Sequence, residues 1–372
     1  MPIEMRPLQS WHARARALYE RHELKWHLLF FAAGFAFDII ATGEGIDHPL
    51  IIAQQVLYLL VIGAILYVDF IREVRPGGWT FSPRLESLWA YRGLLLHFCL
   101  GTLMNVYSIF FLMSASFSST IVFVLLLAAA IVLNEMPAVR RRGVDVKIGL
   151  FVLCVFCFWS LLVPLVIGRV SRLTFAISFG GTLAVLWLLH RLLRKRVSEP
   201  DLRRRLHMPG LSVSACFLVF YLVGLIPPVP IAAKKFGVYH NVEVQDGTYV
   251  LTRERHWLRF WDSGDQRFRA EPGDKIFVFV AVFSPSRFDD VVYVRWQYRD
   301  PRAGWKDSDR IPIRITGGRR GGYRGWTAKQ NYTDGDWRVR LETRDGREIA
   351  HLKIAVKSVP ANPERTLVSE RY

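Results

Sequence analysis

The segment "GGRRGGYRGWTAK" (317–329) concentrates residue types able to hold an anion. Arg319, Arg320 and Arg324 each carry a planar guanidinium that can grip a phosphate or carboxylate through two parallel hydrogen bonds. Lys329 adds a compact charge, while Tyr323 and Trp326 offer aromatic faces to a sugar or a cation. Trp305 and Lys306 flank the segment, and its glycines would let the backbone approach a ligand closely. The same composition also suits a plain connection between strands, with Trp326 in the core and the arginines in solvent.

A second set of candidates lies within apolar stretches, where an ionisable or amide side chain marks substrate or proton handling. Asp38, His97 and Asn105 are such positions, and Asn105 suits an interhelical hydrogen bond as well. Asp69 and Glu135 fall at the ends of apolar runs, where water is expected to reach them. Cys154 and Cys157 form a C-x-x-C inside such a run, without a thioredoxin-like or metal-site context, and read as small packing residues. Enzyme signatures are missing: no H-E-x-x-H, G-x-S-x-G, P-loop or Cys/His metal spacing occurs. No catalytic residue, metal ligand or cofactor is therefore expected.

The elements that must position these residues separate along the chain. Hydrophobic residues make up 51% of it, yet it carries 49 Lys and Arg and a net charge of +17. The apolar runs occupy 26–43, 49–69, 93–134, 148–168, 173–190 and 211–227, and "SASFSS" (114–119) splits the third into two spans. Each approaches the ~20 residues that a hydrocarbon core requires of a helix. The expectation is an α-helical membrane bundle of seven spans over 26–229.

Charge between the spans sets orientation, because cytoplasmic connections retain Lys and Arg. The N-terminal segment 1–25 has five, and the alternate connections have four (Arg72, Arg75, Arg84, Arg92), four (Arg140, Arg141, Arg142, Lys147) and seven. The connections on the other side have none, none and two (Arg169, Arg172). This places the N-terminus in the cytoplasm and the C-terminus outside. No small-residue cleavage site follows the first run, so that run is expected to stay as an uncleaved anchor. The last basic connection, "RLLRKRVSEPDLRRRLHMPG" (191–210), then reads as a short cytoplasmic loop near anionic headgroups rather than a nucleic-acid-binding helix.

Beyond the spans the hydrophobic period changes to alternation. "IPPVPIAAKKFG" suggests an extended linker over 230–245, followed by a β-domain over 246–358 and a tail over 359–372. "KIFVFVAVF" is apolar on both faces, as a central strand would be. "VVYVRWQYR" puts Val292, Val294, Trp296 and Tyr298 on one face, and "RIPIRI" groups Ile311, Ile313 and Ile315. In "WRVRLETRDGREIAHLKIAV", Trp337, Val339 and Leu341 face inward and Asp345-Gly346 supplies a type I′ hairpin turn. With "TYVLTR", "HWLRFW" and "YRGWTAKQ" this makes about eight strands, the pattern of an immunoglobulin-like sandwich without its disulfide.

The run "IPIRITGGRRGGYRGWTAKQNYTDGDWRVRLETRDGREIAHLKIAV" resembles the C-terminal module of a bacterial family, domain of unknown function twenty-nine fourteen. The resemblance rests on "GWTAK" followed by "GDWRVRLETRDGREI" and covers roughly the last 130 residues. Such modules often follow a multi-spanning membrane region. It implies architecture and brings no catalytic residues.

Together these features point to a bacterial inner-membrane protein displaying a basic, aromatic-rich periplasmic β-sandwich. The residues from 231 onward carry 27 Lys and Arg against 19 Asp and Glu, which suits an anionic envelope polymer, a lipid headgroup or a periplasmic protein, and not nucleic acid. A transporter or channel subunit using the bundle, or a membrane enzyme acting on lipid or glycan, are the alternatives.

Overall fold

The computed structural model describes residues 48–115, 121–135, 143–254, 264–285, 288–316, 322–361 and 365–372. The run 26–43 with Asp38, most of "SASFSS", the "HWLRFW" segment, and Arg319 and Arg320 lie outside the described residues. Two compact units emerge. The first comprises Met1–Ile109, Leu125–Phe158 and Gly180–Cys216, and the second Phe110–Val124, Trp159–Phe179 and Phe217–Tyr372.

Among the described residues, five helices are long and apolar enough to cross a membrane: α1 (Pro49–Val74), α3 (Arg92–Met113), α5 (Val144–Ile167), α6 (Arg172–Leu193) and α7 (Glu199–Leu222). At 1.5 Å per residue, even 22 residues reach about 33 Å, more than the ~30 Å hydrocarbon core. The short α2 (Pro83–Trp89) and the apolar 15-residue α4 (Ile121–Glu135) complete the described helices. α1 begins where His48 accepts a hydrogen bond from Leu50 N at 3.3 Å and Pro49 occupies the first turn.

In the first unit the basic connections are tied together by acids. Arg72 grips Glu86 with two bonds of 2.7 and 2.8 Å, and Arg92 donates to Asp69 at 2.6 Å. Glu73 accepts from Arg205 at 2.5 Å and from Val144 N, at the start of α5, at 2.9 Å. Asp69 is therefore buried and ion-paired, not turned to water as its position in the sequence suggested. The stretch 191–210 is also more helical than expected. α6 runs to Leu193 and α7 starts at Glu199, because Ser198 caps it by accepting from Asp201 N and Pro200 fits the first turn. A π-helical turn at Arg203–His207 follows and buries Leu206. α7 then ends at Leu222, five residues before the apolar run does.

Eleven strands follow among the described residues: β1 (Ala232–Tyr239), β2 (Asn241–Gln245), β3 (Thr248–Glu254), β4 (Arg267–Ala270), β5 (Ile276–Phe283), β6 (Asp289–Asp300), β7 (Gly304–Thr316), β8 (Tyr323–Lys329), β9 (Gly335–Glu342), β10 (Glu348–Ser358) and β11 (Leu367–Arg371). They form sheets ordered β4-β10-β9-β6-β7, β1-β5-β8 and β11-β3-β2. β5 alternates between two cores. Ile276, Val278, Val280 and Val282 join Trp296, Trp337, Val339 and Leu341 in the larger core. Phe279 and Ala281 join Tyr239, Val242 and Leu251 in the smaller one. The strand is apolar on both faces because both are covered. The inward faces expected of β6, β7 and β9 are observed: Val292, Val294, Trp296, Ile313, Ile315, Trp337, Val339 and Leu341 are buried.

Three expectations are corrected. Residues 230–245 are not a linker: β1 and β2 lie there, with Phe236 and Val238 buried, and the nearby prolines obscured that alternation. The tail contributes β11, which pairs antiparallel with β3. The type I′ turn belongs to Asp246-Gly247, where both φ values are positive (51° and 74°) and Gln245 pairs with Thr248. At Asp345-Gly346 only the glycine has positive φ (85°), and the loop is longer.

The connection between α5 and α6 belongs to the second unit and docks on the β-domain. Val170 enters the larger core, its N–H donates to the buried Asp290 Oδ2 at 3.0 Å, and Asp289 N donates to Gly168 O at 3.2 Å.

Candidate functional site

The predicted loop does not assemble as a cationic cradle among the described residues. Lys329 is only 2% exposed. It is ion-paired to Asp309, donates to Ser308 Oγ at 2.9 Å and Asn331 Oδ1 at 3.0 Å, and lies 5.7 and 5.1 Å from the Trp296 and Trp337 rings. Its hydrogen bond holds the Asp309 carboxyl below the usual range. Arg324 donates to Tyr372 O at 3.1 Å and stacks over that ring, and Tyr323 packs against the larger core. Trp305 lies beneath Arg338, 4.7 Å from its guanidinium carbon. Trp326 stands 44% exposed on an edge strand, with Phe277 5.4 Å away, rather than in the core. Of the membrane candidates, Asn105 is buried and His97 half-buried on α3.

A different group of cations comes together in the second unit. Arg172, Tyr221, Leu222, Val223, Gly224, Arg340, Asp345, Gly346, Arg347 and Glu348 line a cavity of about 550 Å³. Each wall has a local cause. α7 stops in a Schellman motif: Gly224 takes φ 75°, Gly224 N donates to Tyr221 O, and Leu225 N donates to Phe220 O. A glycine is required there, because other residues strain at positive φ. Tyr221 is thereby left at the helix end, stacked on Phe175 with ring centroids 3.5 Å apart. Arg172 opens α6, whose first turn is closed by reciprocal bonds between Ser171 and Thr174.

The third wall is the β9–β10 hairpin. Thr343 N donates to Arg347 O at 2.9 Å, Thr343 Oγ1 reaches Asp345 Oδ1, and Arg347 N returns a bond to Thr343 Oγ1. The loop so fixed aims Arg347 across Tyr221, its guanidinium carbon 5.4 Å from the ring centroid. Arg347 Nε donates to Asp345 at 3.1 Å, while its Nη2 is buried with no hydrogen-bond partner among the described residues. Arg340 Nε donates to Glu348 at 2.9 Å. Arg172 has no acidic partner among the described residues. Three arginines against two carboxylates leave the cavity one positive charge.

Sequence reasoning missed this group because its members come from three distant segments. The signal present was the hairpin, where Arg340, Arg344 and Arg347 surround Asp345-Gly346. Several exterior acids pair with basic residues near them in sequence, as Asp345 does with Arg347 and Asp300 with Lys306. Glu342 instead accepts from Arg295 and Arg310, on β6 and β7.

Two further clusters were also hidden. His190 Nδ1 and His207 Nε2, on α6 and α7, lie 3.0 Å apart. In the β-domain, His240 stacks on Phe268 and sits 3.3 Å from the fully buried Asp265, whose pKa burial pushes up to about 7. Arg365 braces that site, donating to Glu254 at 3.0 Å, Asp274 at 2.8 Å and the His240 ring. No group of His, Cys, Asp or Glu suited to a metal ion occurs among the described residues.

Residues 289–356 match the family model described as Protein of unknown function (DUF2914), in agreement with the resemblance seen in the sequence. The match spans β6 to β10 and so includes Arg340, Asp345, Arg347 and Glu348, but not Arg172 or Tyr221. No curated protein matches the chain. Among solved structures, the chain is similar to a beta-glucosidase from Listeria innocua in complex with gluconolactone, with 9% identity and a TM-score of 0.19. That likeness covers 31% of this chain and 17% of the other. A second is the Pseudomonas fluorescens alkylpurine DNA glycosylase AlkC bound to DNA containing an abasic site analog, with 10% identity and a TM-score of 0.19 over 82% of this chain and 99% of that one. Scores this low carry nothing about fold or function.

Proposed function

We propose that the chain is a multi-pass bacterial inner-membrane protein whose C-terminal β-domain, held outside the membrane, binds an anionic envelope component without catalysing a reaction. Five helices of sufficient length and apolarity support the membrane reading. The asymmetry of Lys and Arg between spans supports a cytoplasmic N-terminus. Counting the run 26–43 and α4 brings the spans to seven and puts the β-domain outside. The five-stranded sheet and β1-β5-β8 are read as an immunoglobulin-like sandwich, with the three-stranded β11-β3-β2 added over one face.

The observation carrying the binding role is the cavity in which Arg172, Arg340 and Arg347 exceed their carboxylate partners by one charge. Removing all three arginines from the full chain in detergent micelles should lower retention of polyglutamate and polyphosphate probes by tenfold or more, with the circular dichroism spectrum preserved. Unchanged retention of both would defeat the reading.

Transport is a second reading, favoured by the His190–His207 pair, which joins α6 and α7 near the ends that the basic connection 191–210 links. Solute flux into proteoliposomes that is lost in His207→Phe and kept after the three arginine substitutions would replace binding with transport as the main role.

A further inference from the structure

We propose that the cavity bounded by Arg172, Arg340 and Arg347 takes the phosphodiester headgroup of an anionic bilayer lipid; this rests on the binding role above and names its ligand.

Charge comes first. A phosphodiester carries one negative charge and two unsubstituted oxygens, which matches the single excess positive charge of the site. A guanidinium has five N–H donors in a planar fork. Arg347 and Arg340 each commit Nε to a carboxylate of the hairpin, at 3.1 and 2.9 Å. Among the described residues the outer nitrogens of both guanidinia make no hydrogen bond to an acid, and Arg347 Nη2 makes none at all. The two acids thus orient the forks without exhausting them. Arg172 stands at the first turn of α6, where the helix dipole adds to its own attraction for an anion.

Size agrees. About 550 Å³ is far more than a bare phosphate fills and lies within the usual range of ligand pockets. A substituted headgroup such as glycerol phosphate would occupy it, and the stacked pair Tyr221–Phe175 supplies an aromatic wall beside it.

The source of the phosphodiester is decided by what surrounds the mouth. Leu222 and Val223 line the cavity yet are 74% and 66% exposed, and Leu173, next to Arg172, is 55% exposed. These residues belong to the ends of α6 and α7, two helices with the length and apolarity of membrane spans. Where such helices leave the hydrocarbon, the phosphate layer of the bilayer begins. An apolar rim on a cationic cavity fits an amphiphile, with acyl chains along the helix ends and the phosphate among the arginines. A soluble anion would use only half of this surface.

Native mass spectrometry of the full chain in detergent, titrated with phosphatidylglycerol, tests the assignment. The unaltered chain should hold the lipid, and Arg347→Ala and Arg172→Ala should each weaken it by about tenfold, the loss expected for one charge-assisted contact. Diacylglycerol, which lacks the phosphate, should not compete. Soluble glycerophosphoglycerol should compete only at far higher concentration. Equal lipid retention by the unaltered chain and both variants overturns the proposal. Equal potency of the soluble headgroup overturns the lipid source. If the arginine substitutions abolish polyphosphate retention but leave phosphatidylglycerol untouched, the binding role survives and this ligand assignment fails.

Discussion

Lys329 and Arg347 are both cations held against aromatic rings in the same β-domain, and they do opposite things. Lys329 is enclosed, ion-paired to Asp309 and bonded to Ser308 and Asn331, so its three donors are consumed by the protein. Arg347 is oriented by Asp345 through one nitrogen and keeps another without a partner. In the basic connections of the first unit Arg72, Arg92 and Arg205 each meet an acid, although Arg72 Nε, like Arg347 Nη2, is buried without a partner among the described residues. A basic composition therefore does not locate a binding site. What locates one is an oriented, partly unspent cation that also lines a cavity, as Arg347 does and Arg72 does not.

The sharpest way to break that comparison is to remove Lys329. Lys329→Ala should destabilise the full chain by about 2 kcal/mol, because it empties the buried space beside two tryptophans and removes the bonds to Ser308, Asn331 and the partly exposed Asp309. Lys329→Met should cost less, since it keeps the apolar stem. Both variants should retain phosphatidylglycerol once folded. If Lys329→Ala leaves the melting temperature unchanged and abolishes retention, the two cations have been assigned the wrong way round.

A smaller effect concerns a buried acid. Asp265 is enclosed with His240, Glu254, Arg253 and Arg365 around it, and burial raises its pKa from the ordinary 3.8 to about 7. The folded chain therefore holds a proton that the unfolded chain releases between those values. Its contribution to stability falls as pH rises from about 4 to about 7, by at most about 1.4 kcal/mol per pH unit. Thermal unfolding from pH 5 to 8 should show this loss, and Asp265→Asn should flatten it. A slope of the same size in the variant would place its origin elsewhere.

The smallest effect should come from Trp326. Standing on the edge strand β8 with 44% of its surface exposed, it should change stability by less than about 0.5 kcal/mol when replaced by Ser, with lipid retention unaltered. A tenfold loss of retention would return the site to the 317–329 segment.

How much of this was legible depended on the distance over which each feature is decided. Apolar runs marked the helices, since a span of ~20 residues must satisfy its own backbone hydrogen bonds. Their ends were less legible: Ser198 and Gly224, single capping residues, moved the boundaries of α7 by several positions. Alternation exposed the inward faces of β6, β7 and β9, but three prolines before β1 and two lysines within it concealed that strand. Asp-Gly marked the hairpin at 345, while the one at 246 went unread beside the supposed linker, and the turn type differed with the register of the flanking strands.

The sequence by itself determined that this chain joins apolar helices to a β-domain, because burial of alternating or continuous apolar surface is a local, periodic requirement. It also determined the excess of positive charge. Only the tertiary structure decided which cations are neutralised and which are not. Lys329 lies twenty residues from Asp309, and Arg347 meets Tyr221 from more than a hundred residues away. Pairing of charges is a property of distance in space, and no local pattern encodes it.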